Sequence, residues 1–97
     1  MKQVFHEYRV LGEKRNDSPA LEVAAFKPDG ASEALMPAVV VLRIIHAERD
    51  GDESTDHSMN YPSFTPTAKL TREAIIWFDS MVEEHEKGNK LYPGQIQ

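Results

Sequence analysis

Residues 3–12 (QVFHEYRVLG) are rich in β-forming side chains, and Val4, His6, Tyr8 and Val10 fall on one side of an extended chain at a period of two. This pattern predicts a strand. Residues 13–19 (EKRNDSP) are turn chemistry, because Asn16, Asp17 and Ser18 can bond their own backbone and Pro19 stops the preceding element. Residues 20–27 (ALEVAAFK) predict a second strand, with Leu21, Val23 and Ala25 on one side and Glu22, Ala24 and Phe26 on the other. The two strands form an antiparallel hairpin in this reading. Pro28-Asp29-Gly30 gives the next turn, and residues 32–36 predict one helical turn ahead of Pro37.

Residues 38–48 (AVVVLRIIHAE) show no amphipathic face at helical spacing. Five β-branched residues in the seven from Val39 to Ile45 favour a strand, covered on at least one face; a buried helix remains the alternative. Residues 50–67 carry no strong period and contain Gly51, Pro62 and Pro66. They read as a long loop, with room for a short edge strand around 59–64.

Residues 72–87 predict a helix. Thr71 takes the N-cap, with Leu70 and Ile75 in hydrophobic-staple register, and Glu73 falls in the first turn, where the helix dipole favours an acid. Lys87 and Gly88 supply the expected C-terminal stop. At 100° per residue Ala74, Phe78, Met81, Val82 and His85 share one face, with Ile75 and Trp77 at its margins. The last residues, 91–97, read as an extended tail pinned by Leu91 or Tyr92. The fold class expected is α+β: a small antiparallel β-sheet of about three to four strands with a C-terminal amphipathic helix packed on one face.

Ninety-seven residues make a single domain, 1–97, since two cores would each be too small to fold unaided. The absence of cysteine excludes disulfides, thiol catalysis and thiolate metal sites. The N-terminus lacks the apolar stretch of a secretory signal, and the longest apolar run is too short for a bilayer. A soluble, cytoplasmic protein is expected, with no membrane partner.

Charge changes the picture most. The net charge is only −5, yet segments 48–56 and 73–86 together hold ten of the sixteen acids and one of the eleven bases. On the helical wheel Asp79, Glu83 and Glu86 form one acidic strip, and Glu73 with Glu84 another; Ile76 is the apolar exception on that polar side. Five acids over the fourteen residues 73–86, at about 1.5 Å rise each, place one charge per roughly 4 Å of axis. A DNA strand carries one per roughly 3.4 Å. An ordinary solvated helix would intersperse cations at i,i+4 spacing, which this segment does not. Asp50, Asp52, Glu53 and Asp56 extend the array from the preceding loop. Trp77 reads as a core edge in preference to an interface anchor.

Other chemistry finds less support. The alternation of acids and Ser from Asp50 to Asp56 suggests calcium, but an EF-hand loop needs Gly and Glu where Thr55 and Tyr61 stand. The four histidines have no metal-ligand spacing, and no nucleophile, phosphate-loop or dinucleotide motif is present. No metal, cofactor or catalytic residue is expected. A cationic patch of Lys2, Arg9, Lys14, Arg15 and Lys27 is too weak to predict direct nucleic-acid binding, which the acids would oppose.

In length, missing cysteines, hairpin and the acidic runs ERDGDESTD and EAIIWFDSMVEEHE, the chain resembles small phage-encoded anti-CRISPR proteins of the DNA-mimic kind. That resemblance implies a non-enzymatic inhibitor that binds the Lys/Arg-lined DNA path of a Cas protein assembly. The residues expected to meet a basic nucleic-acid-binding partner are Glu73, Ile76, Asp79, Glu83, Glu84, Glu86, Asp50, Asp52, Glu53 and Asp56. Two rivals stand beside this reading. One is a phage structural, assembly or accessory subunit binding through its sheet face or a strand edge; the other is a small enzyme using His57 with neighbouring acids.

Overall fold

The computed structural model describes residues 1–12, 19–45 and 54–88. Among them four strands, β1 (Lys2–Val10), β2 (Ala20–Lys27), β3 (Ala38–Ile45) and β4 (Ser54–Tyr61), make one antiparallel sheet in sequence order. One helix, α1 (Thr67–Glu86), follows and packs on one face of it, an α+β fold. A 3-10 turn at Ala31–Glu33 lies between β2 and β3. The predicted turn at 13–18, residues 46–53 and the tail from residue 89 lie outside the described residues.

Alternation along the strands decides which residues meet the helix. Leu21, Val23 and Ala25 of β2 pair with Ile44, Leu42 and Val40 of β3, and all six are fully buried. They form the floor of the core. Leu70, Ala74, Trp77, Phe78 and Met81 of α1 close it from above. The intervening residues point to the opposite sheet face, where Glu22 is paired in register with Arg43, and Arg43 with Asp56. Segment 38–45 is thus the strand that its β-branched content favoured.

Three expectations change. The first concerns Val4, predicted to share a side with His6, Tyr8 and Val10. A bulge between Gln3 and Phe5 shifts the register, so Val4 packs against the core beside Phe5. The second is the loop predicted over 50–67 with room for a short edge strand around 59–64: the edge strand, β4, is full-length and lies earlier, over Ser54–Tyr61. All of β4 except Tyr61 is exposed, so few of its residues carry the apolar signal of a strand. Its pairing with β3 supplies the stabilisation instead.

The third correction is the helix start. The helix begins at Thr67, with Pro66 at the N-cap and no side-chain cap, so Thr71 is an interior residue and Glu73 falls in the second turn. Leu70, Ala74, Trp77, Phe78 and Met81 form a continuous i, i+4, i+7, i+8, i+11 stripe, so burying Leu70 requires the extra turn. Thr65, which bonds the Pro62 carbonyl through both its N–H (2.9 Å) and its hydroxyl (2.7 Å), makes the turn that precedes it. Pro suits the first turn because the N–H it lacks has no intrahelical partner there. The C-terminal stop is as expected: Gly88 takes a left-handed φ of 76° and donates to the His85 carbonyl at 2.9 Å.

Trp77, placed at the core margin by the wheel, is only 3% exposed, and its Nε1 has no hydrogen-bond partner among the described residues. A buried donor without a partner is costly, so Trp77→Phe removes a penalty as well as some packing. Its stability in urea is expected within about 1 kcal/mol of the parent, whereas truncation of a buried Trp to Ala costs about 3–5 kcal/mol. A Phe variant as damaged as the Ala variant would show that the indole N–H is satisfied.

Candidate functional site

Contacts at both flanks fix how α1 is rotated. The His57 ring of β4 meets Trp77 edge-to-face at 5.1 Å, and the Glu73 charge reaches Tyr61. The flank carrying Glu73, Trp77 and Glu84 therefore faces β4. On the other side the Arg9 guanidinium of β1 lies 5.0 Å from the centre of the Phe78 ring, and Val82, His85 and Glu86 border a crevice with residues 9–12. Asp79 and Glu83 occupy the side away from the sheet.

The two acidic strips thus point in different directions. Glu73 and Glu84 are half-buried on the β4 flank, while Asp79, Glu83 and Glu86 are exposed. Ile76 lies between the strips, 51% exposed, and Ser80 bonds back to its carbonyl at 2.8 Å. Glu83 is 3.2 Å from the Lys87 ammonium one turn on. An exposed pair of this spacing contributes little and leaves the carboxylate open to a partner.

The earlier helix start alters the electrostatics of this surface. Lys69 and Arg72 now lie in the first two turns, no acid occupies the first turn, and Glu83, Glu84 and Glu86 crowd the last, with Asp79 one turn before them. This order runs against the helix dipole, which favours acids at the start and cations at the end. His85 is the one basic residue of the last turn. The C-terminal end of α1 is a concentrated negative surface held at some expense of stability.

Asp56 is not part of it. It belongs to β4 and points to the sheet face opposite α1, where Arg43 donates to both its oxygens, Nε at 2.8 Å and Nη2 at 3.1 Å. Those bonds hold the Asp56 carboxyl below its ordinary pKa and raise that of Arg43. Asp50, Asp52 and Glu53, the remaining acids of the predicted array, lie outside the described residues. The acid–base pair considered for Asp56 and His57 does not form, because neighbours on a strand point to opposite faces. Burial raises the Tyr61 phenol, with the Glu73 charge adding to it.

A folded-state pKa held down in Asp56 contributes stability that is present above the unfolded carboxylate value of about 3.9 and fades as pH falls through the lower folded value. Asp56→Asn is therefore expected to lower stability at neutral pH and to converge with the parent in acid. Denaturant unfolding across that range checks it; a constant difference at every pH would show that the charge plays no part.

The sequence missed the network His6–Glu22–Arg43–Asp56 that spans the outer face. His6 Nε2 is 2.9 Å from Glu22, and Arg43 Nη1 is 3.7 Å from Glu22. The signal was the period-two alternation of Ser54, Asp56, Ser58 and Asn60 against Thr55, His57, Met59 and Tyr61, which places Asp56 beside Arg43 once 54–61 is a strand. Among the described residues no group of acids and histidines could hold a metal, and no helix is long and apolar enough to cross a membrane. No protein-family model, curated protein or solved structure matches the chain.

Proposed function

We propose that this protein is a non-enzymatic inhibitor that uses the acidic C-terminal half of α1 to occupy a positively charged nucleic-acid-binding site of a partner, in the manner of a DNA mimic. One observation carries the reading: Glu83, Glu84 and Glu86 gather in the last turn of α1, where the helix dipole opposes them, with Asp79 one turn further in. A surface that only confers solubility would spread its acids or place them at the other end of the helix. Residues 79–86 span about 10 Å of axis, on the order of three phosphates of one DNA strand. Ile76 adds an apolar contact and Glu73 and Glu84 a second row beside β4. Asp56, already held by Arg43, is left out of the proposed surface. A CRISPR surveillance complex is one partner of this kind; any protein with a Lys/Arg-lined duplex path presents the same chemistry.

Competition tests it. Candidate basic nucleic-acid-binding proteins, Cas complexes among them, are loaded with labelled duplex and titrated with this chain at low and moderate salt. The expected result is release of duplex by at least one of them, weakening as salt rises. Binding that leaves the duplex in place would overturn the proposal.

A further inference from the structure

The face of the sheet opposite α1 has no described helix or strand over it. Phe26, Val39 and Val41 stand there half-buried, and a shallow depression of about 310 Å³ runs over Ala24, Phe26 and Val41 to Glu22 and Arg43. Its outward residues are arranged by strand. The central strands contribute Phe26 beside Val39, Ala24 beside Val41, and Glu22 beside Arg43. On the same face the outer strands contribute Gln3, His6, Tyr8 and Val10 of β1, and Ser54, Asp56, Ser58 and Asn60 of β4.

We infer that this face is a self-complementary interface and that its occupant is a second copy of the chain, packed sheet to sheet about a two-fold axis lying close to the strand direction between β2 and β3. That operation exchanges β2 with β3 and leaves each position along the strands unchanged, so every row meets itself reversed. Phe26 then lies opposite the partner's Val39, and Ala24 opposite the partner's Val41. Glu22 lies opposite the partner's Arg43 and Arg43 opposite the partner's Glu22, with the margins of β1 and β4 facing one another and Tyr8 set against the partner's Asp56. Apolar meets apolar, and each central charge meets its opposite, in both copies.

Two further observations suit this occupant. Within one chain Arg43 spends Nε and Nη2 on Asp56, while Nη1 and the nearer Glu22 oxygen stand 3.7 Å apart, too far for a tight bond. A reversed copy offers each of them a second partner, which a charge enclosed by an interface requires. In extent, four strands about 4.8 Å apart and eight residues at about 3.3 Å each give roughly 500 Å² per copy, about 1,000 Å² in all. This reaches the lower bound of a specific interface, about 1,000 Å². Aligned sheet packing at about −30° is the ordinary way two such faces meet. The helix, on the far side of each sheet, keeps its acidic end clear of the dimer contact.

Charge exchange across the axis gives the test. The unaltered chain is expected to sediment at twice the chain mass at tens of micromolar. Glu22→Arg sets a second cation against the partner's Arg43, and Arg43→Glu sets a second acid against the partner's Glu22, so each variant alone is expected to weaken association at least tenfold. Mixed in equal amounts, the two variants restore opposite charges at both contacts and are expected to form a one-to-one heterodimer. A Val41→Lys variant, checked for folding by circular dichroism, is expected to be monomeric and unrescued by either. A monomer at every concentration for the unaltered chain would overturn the inference. So would variants that fold but do not associate on mixing.

Discussion

Truncating Phe78 to alanine is expected to cost about 3–5 kcal/mol. Its ring is fully buried in the middle of the helix face that closes the core, and the Arg9 guanidinium lies against it at 5.0 Å. The loss combines transfer of the ring, the cavity left between α1 and the sheet, and a cation that no longer has a π face to cover. A domain of this size holds a net stability of about 5–15 kcal/mol, so a large part of it would go. Urea unfolding measures the change. Ile76→Ala on the exposed side is the control, expected within about 0.5 kcal/mol of the parent. Equal effects at the two positions would contradict the observed rotation of α1.

Reversing Glu83, Glu84 and Glu86 to lysine is expected to separate binding from stability. Loss of three attractive charges and gain of three repulsive ones should lower affinity for a cationic nucleic-acid site at least about 100-fold, a change of about 2.8 kcal/mol. Stability should change little, because each acid removed from the helix end relieves about 0.3–1 kcal/mol of dipole repulsion at low salt, which offsets loss of the weak Glu83–Lys87 pair and of the contact that Glu84 makes. Acids that merely supported the fold would give the reverse: lower stability and unchanged binding.

The contrast between elements shows what the sequence made legible. β2 was readable because Leu21, Val23 and Ala25 alternate with the residues between them, β3 because five of the seven residues from Val39 to Ile45 are β-branched, and the end of α1 because Gly88 has the φ that only glycine takes readily. The start of α1 was misplaced because Thr71 satisfies the local rule for a cap, while tertiary packing of Leu70 extends the helix back past it. β4 was hidden because an edge strand needs few apolar residues when its neighbour supplies the ladder. The candidate site follows the same division. The acids of α1 could be counted in sequence, but the separation of Asp56 from them depends on which sheet face it takes, and that needed the register with Arg43.

The most direct measurement is the salt dependence of binding to a partner identified by duplex release. It compares the unaltered chain with one carrying Asp79→Asn, Glu83→Gln, Glu84→Gln and Glu86→Gln. Affinity of the unaltered chain should fall steeply with salt, and the neutralised chain should bind more weakly along a much shallower slope. Equal affinity and an equal slope for the two would mean that the acidic end of α1 does not touch the partner.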